Sequence, residues 1–84
     1  GEIMRLDKFL KVSRLIKRRT VANEVSDTGR VSVNGNPAKA GKQLKEGDII
    51  TIEYANRTVS VKVLRIPLNN VSIQEAPGLY EEIK

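Results

Sequence analysis

The residues whose type and spacing best suit a chemical role are the cations near the amino end of the chain. Between positions 5 and 20 one anion, Asp7, stands among seven cations. These cations are Arg5, Lys8, Lys11, Arg14, Lys17, Arg18 and Arg19. Guanidinium and ammonium groups bind phosphate oxygens through charge-assisted hydrogen bonds. Such a one-sided basic segment in a small domain predicts a polyanionic partner.

The charge is spread unevenly along the 84 residues. Positions 1–48 hold eleven Lys or Arg and six Asp or Glu, whereas positions 49–84 hold four of each. The whole excess behind the net charge of +5 therefore lies in the first part of the chain. A solvated polar face is the ordinary explanation for one exposed lysine, but a neutral surface would mix the two signs. A membrane surface is disfavoured, because the leucines of this segment are needed for the core.

Enzymatic catalysis is not expected from this composition. The chain has no His and no Cys, so the commonest general base and the best nucleophile are missing. Its carboxylates form no recognisable acid–base pair, and nothing clusters as a metal site would. We therefore predict a protein that is not an enzyme, with no cofactor and no metal. The lack of cysteine and of an apolar run long enough to span a bilayer favours a cytoplasmic protein, and we expect a monomer.

Two short amphipathic helices would carry the basic segment. Leu6, Phe9 and Leu10 recur at helical spacing, which predicts a first helix over residues 5–13. A second helix is predicted over residues 17–28, where Gly29 would end it. Three cations then fall in the first turn of that helix, where the partial positive charge of the peptide dipoles repels them by roughly 0.3–1 kcal/mol each. We interpret the arrangement, with Thr20 as a hydroxyl donor, as a phosphate site that is relieved when an anion binds.

The rest of the chain changes to strand periodicity. Val31 and Val33 precede Asn34-Gly35, a strong hairpin-turn signal, and Pro37 predicts an edge strand or an irregular strand after it. Further strands are predicted over residues 49–54, 59–63 and 71–74, with a bulge near Leu64. The predicted fold class is α+β: a helical hairpin packed on a small, mostly antiparallel twisted sheet. We assign residues 4–75 to this one domain and residues 76–84 to a flexible tail; Met4 is a candidate natural start.

RNA is favoured over DNA by the form of the predicted surface. A reader of duplex DNA usually lays a long helix in the major groove, whereas the second helix here offers its end and one flank. On that flank Asn23 could read a base, while Glu24 would repel phosphate. Stacking on single strands has little support, because Phe9 is needed in the core and the two tyrosines are far from the basic segment in sequence. Recognition of folded RNA by shape and phosphate contact remains.

Four segments in this order resemble the alpha-L RNA-binding motif, the domain type named after the fourth small-subunit ribosomal protein. They are RLDKFL, KRRTVANEV, GRVSVNG and LKEGDIITI, and the resemblance covers residues 5–53. It implies that Arg5 and Asp7 lie in the opening element, that Arg19 and Thr20 begin the second helix, and that Arg5 and Arg19 matter most. The candidate RNA-binding residues are Arg5, Asp7, Lys8, Lys11, Arg14, Lys17, Arg18, Arg19, Thr20, Asn23 and Arg30.

The chain is too short for the catalytic domains to which this motif is often attached. As a stand-alone copy it resembles the RqcP family and is similar to the fifteen-kilodalton heat-shock family. The resemblance implies binding to obstructed large ribosomal subunits that carry peptidyl-tRNA, with contacts to large-subunit rRNA and to tRNA. It also implies support for alanine tailing of the nascent chain, with RqcH as a candidate partner. Two alternatives remain open: a ribosome assembly factor or ribosomal protein, and a basic module that binds an acidic protein.

Overall fold

Two helices and a five-stranded antiparallel sheet form the framework of the fold in this computed structural model, which describes residues 3–67 and 74–83. In chain order the elements are β1 (Met4–Arg5), α1 (Leu6–Val12), α2 (Arg19–Asp27), β2 (Val31–Val33), β3 (Asn36–Pro37), β4 (Gln43–Leu44), β5 (Ile49–Glu53), β6 (Thr58–Val63), a 3₁₀ turn (Ala76–Leu79) and β7 (Tyr80–Ile83). The predicted α+β fold, two helices on a mostly antiparallel sheet, is confirmed.

The apolar stripe of α1 explains where the helices sit. Leu6, Phe9 and Leu10 are fully buried, and α1 ends within a residue of the predicted position. In α2 the buried residues are Ala22 and Ser26, and the Ser26 hydroxyl donates back to the Ala22 carbonyl at 2.7 Å. Small side chains on this stripe let the two helices approach each other closely.

The predicted start of the second helix is wrong by two residues. The helix begins at Arg19, and Arg18 before it has extended dihedrals (φ −122°, ψ 135°). Lys17 and Arg18 therefore precede the helix, and only one of the three cations lies in its first turn. The repulsion between these cations and the helix dipole is correspondingly smaller than the sequence suggested.

The sheet has the order β3-β2-β5-β6-β7. Asn34 and Gly35 have φ values of 53° and 85°, the left-handed dihedrals that a type I′ hairpin turn requires. Pro37 lies in β3 at the edge of the sheet, as predicted. Alternate valines and isoleucines of β2, β5 and β6 are buried beneath the helices: Val31, Val33, Ile50, Ile52, Val61 and Val63.

The predicted flexible tail is corrected for residues 76–83. Tyr80–Ile83 is a strand that pairs antiparallel with β6, with Val63 opposite Tyr80. Ala76 and Leu79 are fully buried. The Ala-Pro-Gly sequence predicts that regular structure ends there. The edge of β6 provides hydrogen-bond partners for the backbone of residues 80–83, and the local sequence does not indicate this pairing. The strand predicted over residues 71–74 falls on positions outside the described residues, except for Gln74, which lies in a turn.

The predicted irregularity after β6 is present in the backbone hydrogen bonds. The strand ends at Val63, and the N–H groups of Leu64 and Arg65 both donate to the Leu79 carbonyl, at 2.8 and 3.3 Å. Two residues opposite one is the arrangement of a β-bulge. The buried Leu79 holds this segment to the core.

Candidate nucleic-acid interface

Asp7 lies at the centre of the surface that the basic segment forms. It occupies the first turn of α1, where a carboxylate is favoured by the helix dipole, and only 2% of its side chain is exposed. The segment after β3 fixes this end of the helix, because Leu6 N–H donates to the Lys42 carbonyl at 2.8 Å and Asp7 N–H to the Ala40 carbonyl at 3.2 Å. The position of the carboxylate is therefore set by backbone contacts on both sides.

Four donors converge on the Asp7 carboxylate. One oxygen, Oδ1, accepts from Arg5 Nε at 3.2 Å and from Lys8 N–H at 2.8 Å. The other oxygen, Oδ2, accepts from Arg19 Nε at 3.3 Å and from Asn23 Nδ2 at 3.4 Å. Arg19 and Asn23 are four residues apart and so share one face of α2. A single buried carboxylate thus joins the strand before α1, the first turn of α1 and one face of α2.

The protonation of Asp7 follows from these contacts. Burial by itself raises the pKa of this carboxyl. Hydrogen bonds from Arg5, Asn23 and Arg19, together with the charge of Arg19, outweigh burial and hold its pKa below the usual value. Asp7 is therefore ionised at neutral pH and acts as a permanent acceptor for both guanidinium groups.

The two guanidinium groups remain accessible although they are ordered. The side chains of Arg5 and Arg19 are 52% and 51% exposed. Each arginine contacts Asp7 through its Nε atom. A guanidinium group has five N–H donors, so the four donors on its two Nη atoms are not used in the contact with Asp7. The carboxylate offsets one of the two positive charges, which makes the site an ordered cationic pair rather than a cluster of unpaired cations.

These side chains surround an open hollow with a volume of about 470 Å³, lined by Arg5, Asp7, Arg19, Thr20 and Asn23. The start of α2 lies in its wall. The N-cap residue, Arg18, makes no side-chain capping hydrogen bond, and the helix begins at the exposed Arg19 and Thr20. Backbone N–H groups at a helix start have no partner within the helix and attract anions. The hollow therefore combines guanidinium and hydroxyl groups with the start of a helix, which suits a phosphate group.

The other predicted residues do not line this hollow. Lys8 and Lys11 are half-buried on α1, while Arg14, Lys17 and Arg18 are exposed in the corner between the helices. The structure does not bring Arg30 to the hollow. Arg30 follows the carboxyl end of α2, and its N–H donates to the Val25 carbonyl in the last turn of that helix. The hollow lies at the other end of α2, and nine helical residues span roughly 13 Å.

Two contacts, one beside the hollow and one at the corner between the helices, were missed by sequence reasoning. Gly41 lies against the Arg5 guanidinium, since a Cβ at this position would be 3.9 Å from Arg5 Nη2. Its sequence context, a glycine in a basic connector, offered only a weak signal. Tyr54, far from the basic segment in sequence, donates its hydroxyl to the Leu15 carbonyl at 3.2 Å, and no local pattern could have predicted that contact.

Several positions of the motif that the sequence resembles stabilise the fold instead. Asn34 donates to Asp48 at 3.1 Å and accepts from Ile49 N–H at 3.0 Å, and Asp48 also accepts from Lys45 N–H at 3.0 Å. These bonds tie the β2–β3 turn to the start of β5. The VNG and GD parts of the motif therefore stabilise the fold and present no side chain to the hollow.

Two classes of site find no support within residues 3–67 and 74–83. No group of three or more carboxylates there is placed to hold a metal ion. No helix in that part of the chain is long and apolar enough to cross a membrane.

Comparison with known proteins places these features in a family. The family model of the S4 domain matches residues 4–50. A Halalkalibacterium halodurans protein named RQC P-site tRNA stabilizing factor is 55% identical over 78 residues, which cover 93% of this chain and 88% of that protein. A Bacillus subtilis protein of the same name is 51% identical over 96% of this chain and 93% of its own length.

A solved structure of a related protein has the same fold. Heat Shock Protein 15 of Vibrio cholerae, described as trimeric, superimposes with a TM-score of 0.88 at 32% identity, over 98% of this chain and 83% of that one. The resemblance to the alpha-L motif and to its stand-alone families is thereby confirmed. The chain belongs to the S4-domain family of RQC P-site tRNA stabilizing factors.

Proposed function

We propose that this protein binds the large ribosomal subunit during ribosome-associated quality control and stabilises a tRNA in the P site. The names of its near-full-length relatives support this role. The single structural observation that carries it is the ordered pair of guanidinium groups, Arg5 and Arg19, held on the buried Asp7. The protein acts by binding rather than by catalysis, in keeping with its lack of His and Cys.

The Asp7-centred hollow is suited to the RNA backbone because its donors are already in position. A free arginine loses side-chain entropy when it binds, at about 0.5–1.5 kcal/mol per immobilised side chain. Arg5 and Arg19 lose part of this entropy already during folding, through their bonds to Asp7. Asp7 and Asn23 act as positioning residues, and the Nη atoms with Thr20 and the start of α2 contact the phosphate.

The other cations of the basic segment add to the affinity. Lys8, Lys11 and the corner residues Arg14, Lys17 and Arg18 contribute salt-dependent attraction to neighbouring phosphates. Arg30, at the opposite end of α2, would meet a different part of the RNA. The RNA in question is large-subunit rRNA together with tRNA, in the cytoplasm. Contact with RqcH, support of alanine tailing and a monomeric state stay predictions from the resemblance.

Affinity for purified large subunits, with and without P-site peptidyl-tRNA, tests this function. We expect tighter binding when the tRNA is present. Arg19→Ala should weaken binding roughly ten- to a hundred-fold, the value of a charged hydrogen bond of about 1.5–3 kcal/mol, and lower the slope of log affinity against log salt by about 0.7–0.9 per lost phosphate contact. Arg65→Ala, an exposed arginine beyond β6, is the matched control.

Three outcomes separate the alternatives. Equal affinity with and without tRNA would remove the tRNA-stabilising role and leave an assembly factor or ribosomal protein. Equal binding by Arg19→Ala and wild type would remove the hollow from the interface. Binding to acidic proteins but not to subunits would favour the protein-interaction module.

A further inference from the structure

The corner between the two helices, residues 13–18, holds an unusual backbone conformation. Arg14 has a φ of 66°, in the left-handed region that glycine normally occupies after a helix. A residue with a Cβ is disfavoured there and persists only where its surroundings hold it. Two backbone bonds do so, from Arg14 N–H to the Lys11 carbonyl at 3.1 Å and from Ile16 N–H to the Leu10 carbonyl at 3.0 Å.

A third contact comes from the opposite layer of the fold. The turn between β5 and β6, residues 54–57, is closed by Tyr54 N–H donating to the Arg57 carbonyl at 2.7 Å. From this turn the Tyr54 hydroxyl donates to the Leu15 carbonyl at 3.2 Å, next to the left-handed Arg14. Burial raises the pKa of Tyr54, so the hydroxyl keeps its proton at neutral pH and remains a donor. The β5–β6 turn is thus docked on the helical corner.

The same turn carries a cation, Arg57, beside the tyrosine that contacts the corner. The Arg57 guanidinium carbon lies 5.6 Å from the centre of the Tyr54 ring, a distance at which the ring attracts the cation and restricts its motion. Both Arg57 and Arg14 are exposed, as are Lys17 and Arg18 in the corner itself. The covered ring face is not free to stack on a base, so the guanidinium edge rather than the ring is available to a ligand.

We propose that Arg57, held on Tyr54, and Arg14 form a second phosphate-binding site, which takes an RNA phosphodiester segment distinct from the one in the Asp7-centred hollow. The proposal rests on the proposed function and extends it to the second half of the chain, where the charge is balanced overall. It also explains why an arginine occupies a backbone position that favours glycine, because the Arg14 side chain binds the ligand. The Tyr54 contact with Leu15 helps to hold the strained backbone of the corner.

The test uses full-length protein and large subunits that carry P-site tRNA, at a series of salt concentrations. Arg57→Ala should lower affinity about three- to tenfold and lower the salt slope by about 0.7–0.9, the value for one phosphate contact. Arg65→Ala should change neither quantity. Tyr54→Phe keeps the ring under Arg57 but loses the bond to Leu15, and should weaken binding less than Arg57→Ala does.

Arg14→Gly gives a readout that a purely structural role would not produce. Glycine relieves the left-handed strain, so thermal unfolding should occur at a higher temperature, while affinity for the subunits falls about three- to tenfold. A more stable protein with unchanged affinity would overturn the role of Arg14 in the site.

The proposal and the function it rests on fail in different ways. If Arg19→Ala loses affinity while Arg57→Ala binds as wild type does, the second site is refuted and the proposed function stands. If wild type binds no better to tRNA-bearing subunits than to empty ones, the proposed function itself is refuted. A synthetic polyglutamate peptide serves as the competing probe: loss of affinity for it alone in Arg57→Ala would assign the corner to an acidic protein and overturn the RNA assignment.

Discussion

Two buried aspartates, one in each layer of the molecule, have different kinds of partner. Asp7 on α1 and Asp48 before β5 are 2% and 6% exposed. Asp48 accepts from a backbone N–H and from the neutral Asn34. Asp7 also accepts from one backbone N–H and from one asparagine, Asn23, but adds two half-exposed guanidinium groups.

The difference shows how a similar buried carboxylate can serve the fold or the surface. Around Asp48 the donors are the Lys45 N–H and the neutral Asn34 amide, and these bonds tie the β2–β3 turn to the start of β5. Around Asp7 the two arginines use only Nε, and their remaining donors reach solvent in a fixed position. Both carboxylates are buried, so burial does not distinguish a binding site from a structural contact. The difference is that the arginines bonded to Asp7 have further N–H donors that a ligand can use.

The largest effect is expected from Asp7→Ala. It removes an acceptor with four donors and leaves Arg5 and Arg19 close together without the anion between them. We expect a loss of about 3 kcal/mol in the free energy of unfolding, together with at least a tenfold loss of affinity for tRNA-bearing subunits. Urea titration and subunit binding measure the two. Retained affinity in the folded variant would mean that Asp7 does not position the arginines.

Asp48→Ala should cost less and act on stability alone. Two donors, Asn34 Nδ2 and Lys45 N–H, lose their acceptor, which predicts a loss of about 2 kcal/mol in the free energy of unfolding. Affinity, measured at a temperature where the variant is fully folded, should match that of wild type. A loss of affinity as large as that of Asp7→Ala would break the comparison between the two aspartates.

The asparagine bonded to each aspartate, Asn23 at Asp7 and Asn34 at Asp48, allows a second comparison with smaller expected effects. Asn23→Ala removes one bond to Asp7, so the unfolding free energy should fall by about 1 kcal/mol and affinity by a few fold, because Asp7 then holds Arg19 less firmly. The control is Asn34→Gly, which keeps the left-handed turn but removes both the bond to Asp48 and the bond from Ile49 N–H. It should reduce stability without changing affinity; the reverse pattern would contradict the assignment of roles.

The smallest effect is a pH dependence of stability that belongs to Asp7. The folded state holds its pKa below the unfolded value near 3.8. The stabilisation is therefore complete above that value and is lost as pH falls through the folded pKa. Between neutral pH and pH values below about 4, the free energy of unfolding should fall more steeply for wild type than for Asp7→Asn. Parallel curves would show that the arginines do not favour the ionised carboxyl.

Local sequence was sufficient for much of the fold. Asn34-Gly35 predicted the hairpin because only residues that tolerate positive φ make a type I′ turn. The spacing of Leu6, Phe9 and Leu10 predicted α1 because a helix places such residues on one face. β7 could not be predicted, since its stability comes from the open edge of β6 and the burial of Leu79 rather than from its own residues.

The sequence by itself determined that the protein carries a basic amino-terminal segment, and it predicted Arg5, Asp7, Arg19, Thr20 and Asn23 as candidates. Only the tertiary structure decided that these five line one hollow, that Arg30 is apart from them, and that Tyr54, with the Arg57 guanidinium over its ring, donates to the helical corner. The physical reason is range. Helix and turn signals act over three or four residues, whereas Asp7 meets Arg19 across 12 residues and Tyr54 meets Leu15 across 39, contacts that exist only once the core has packed.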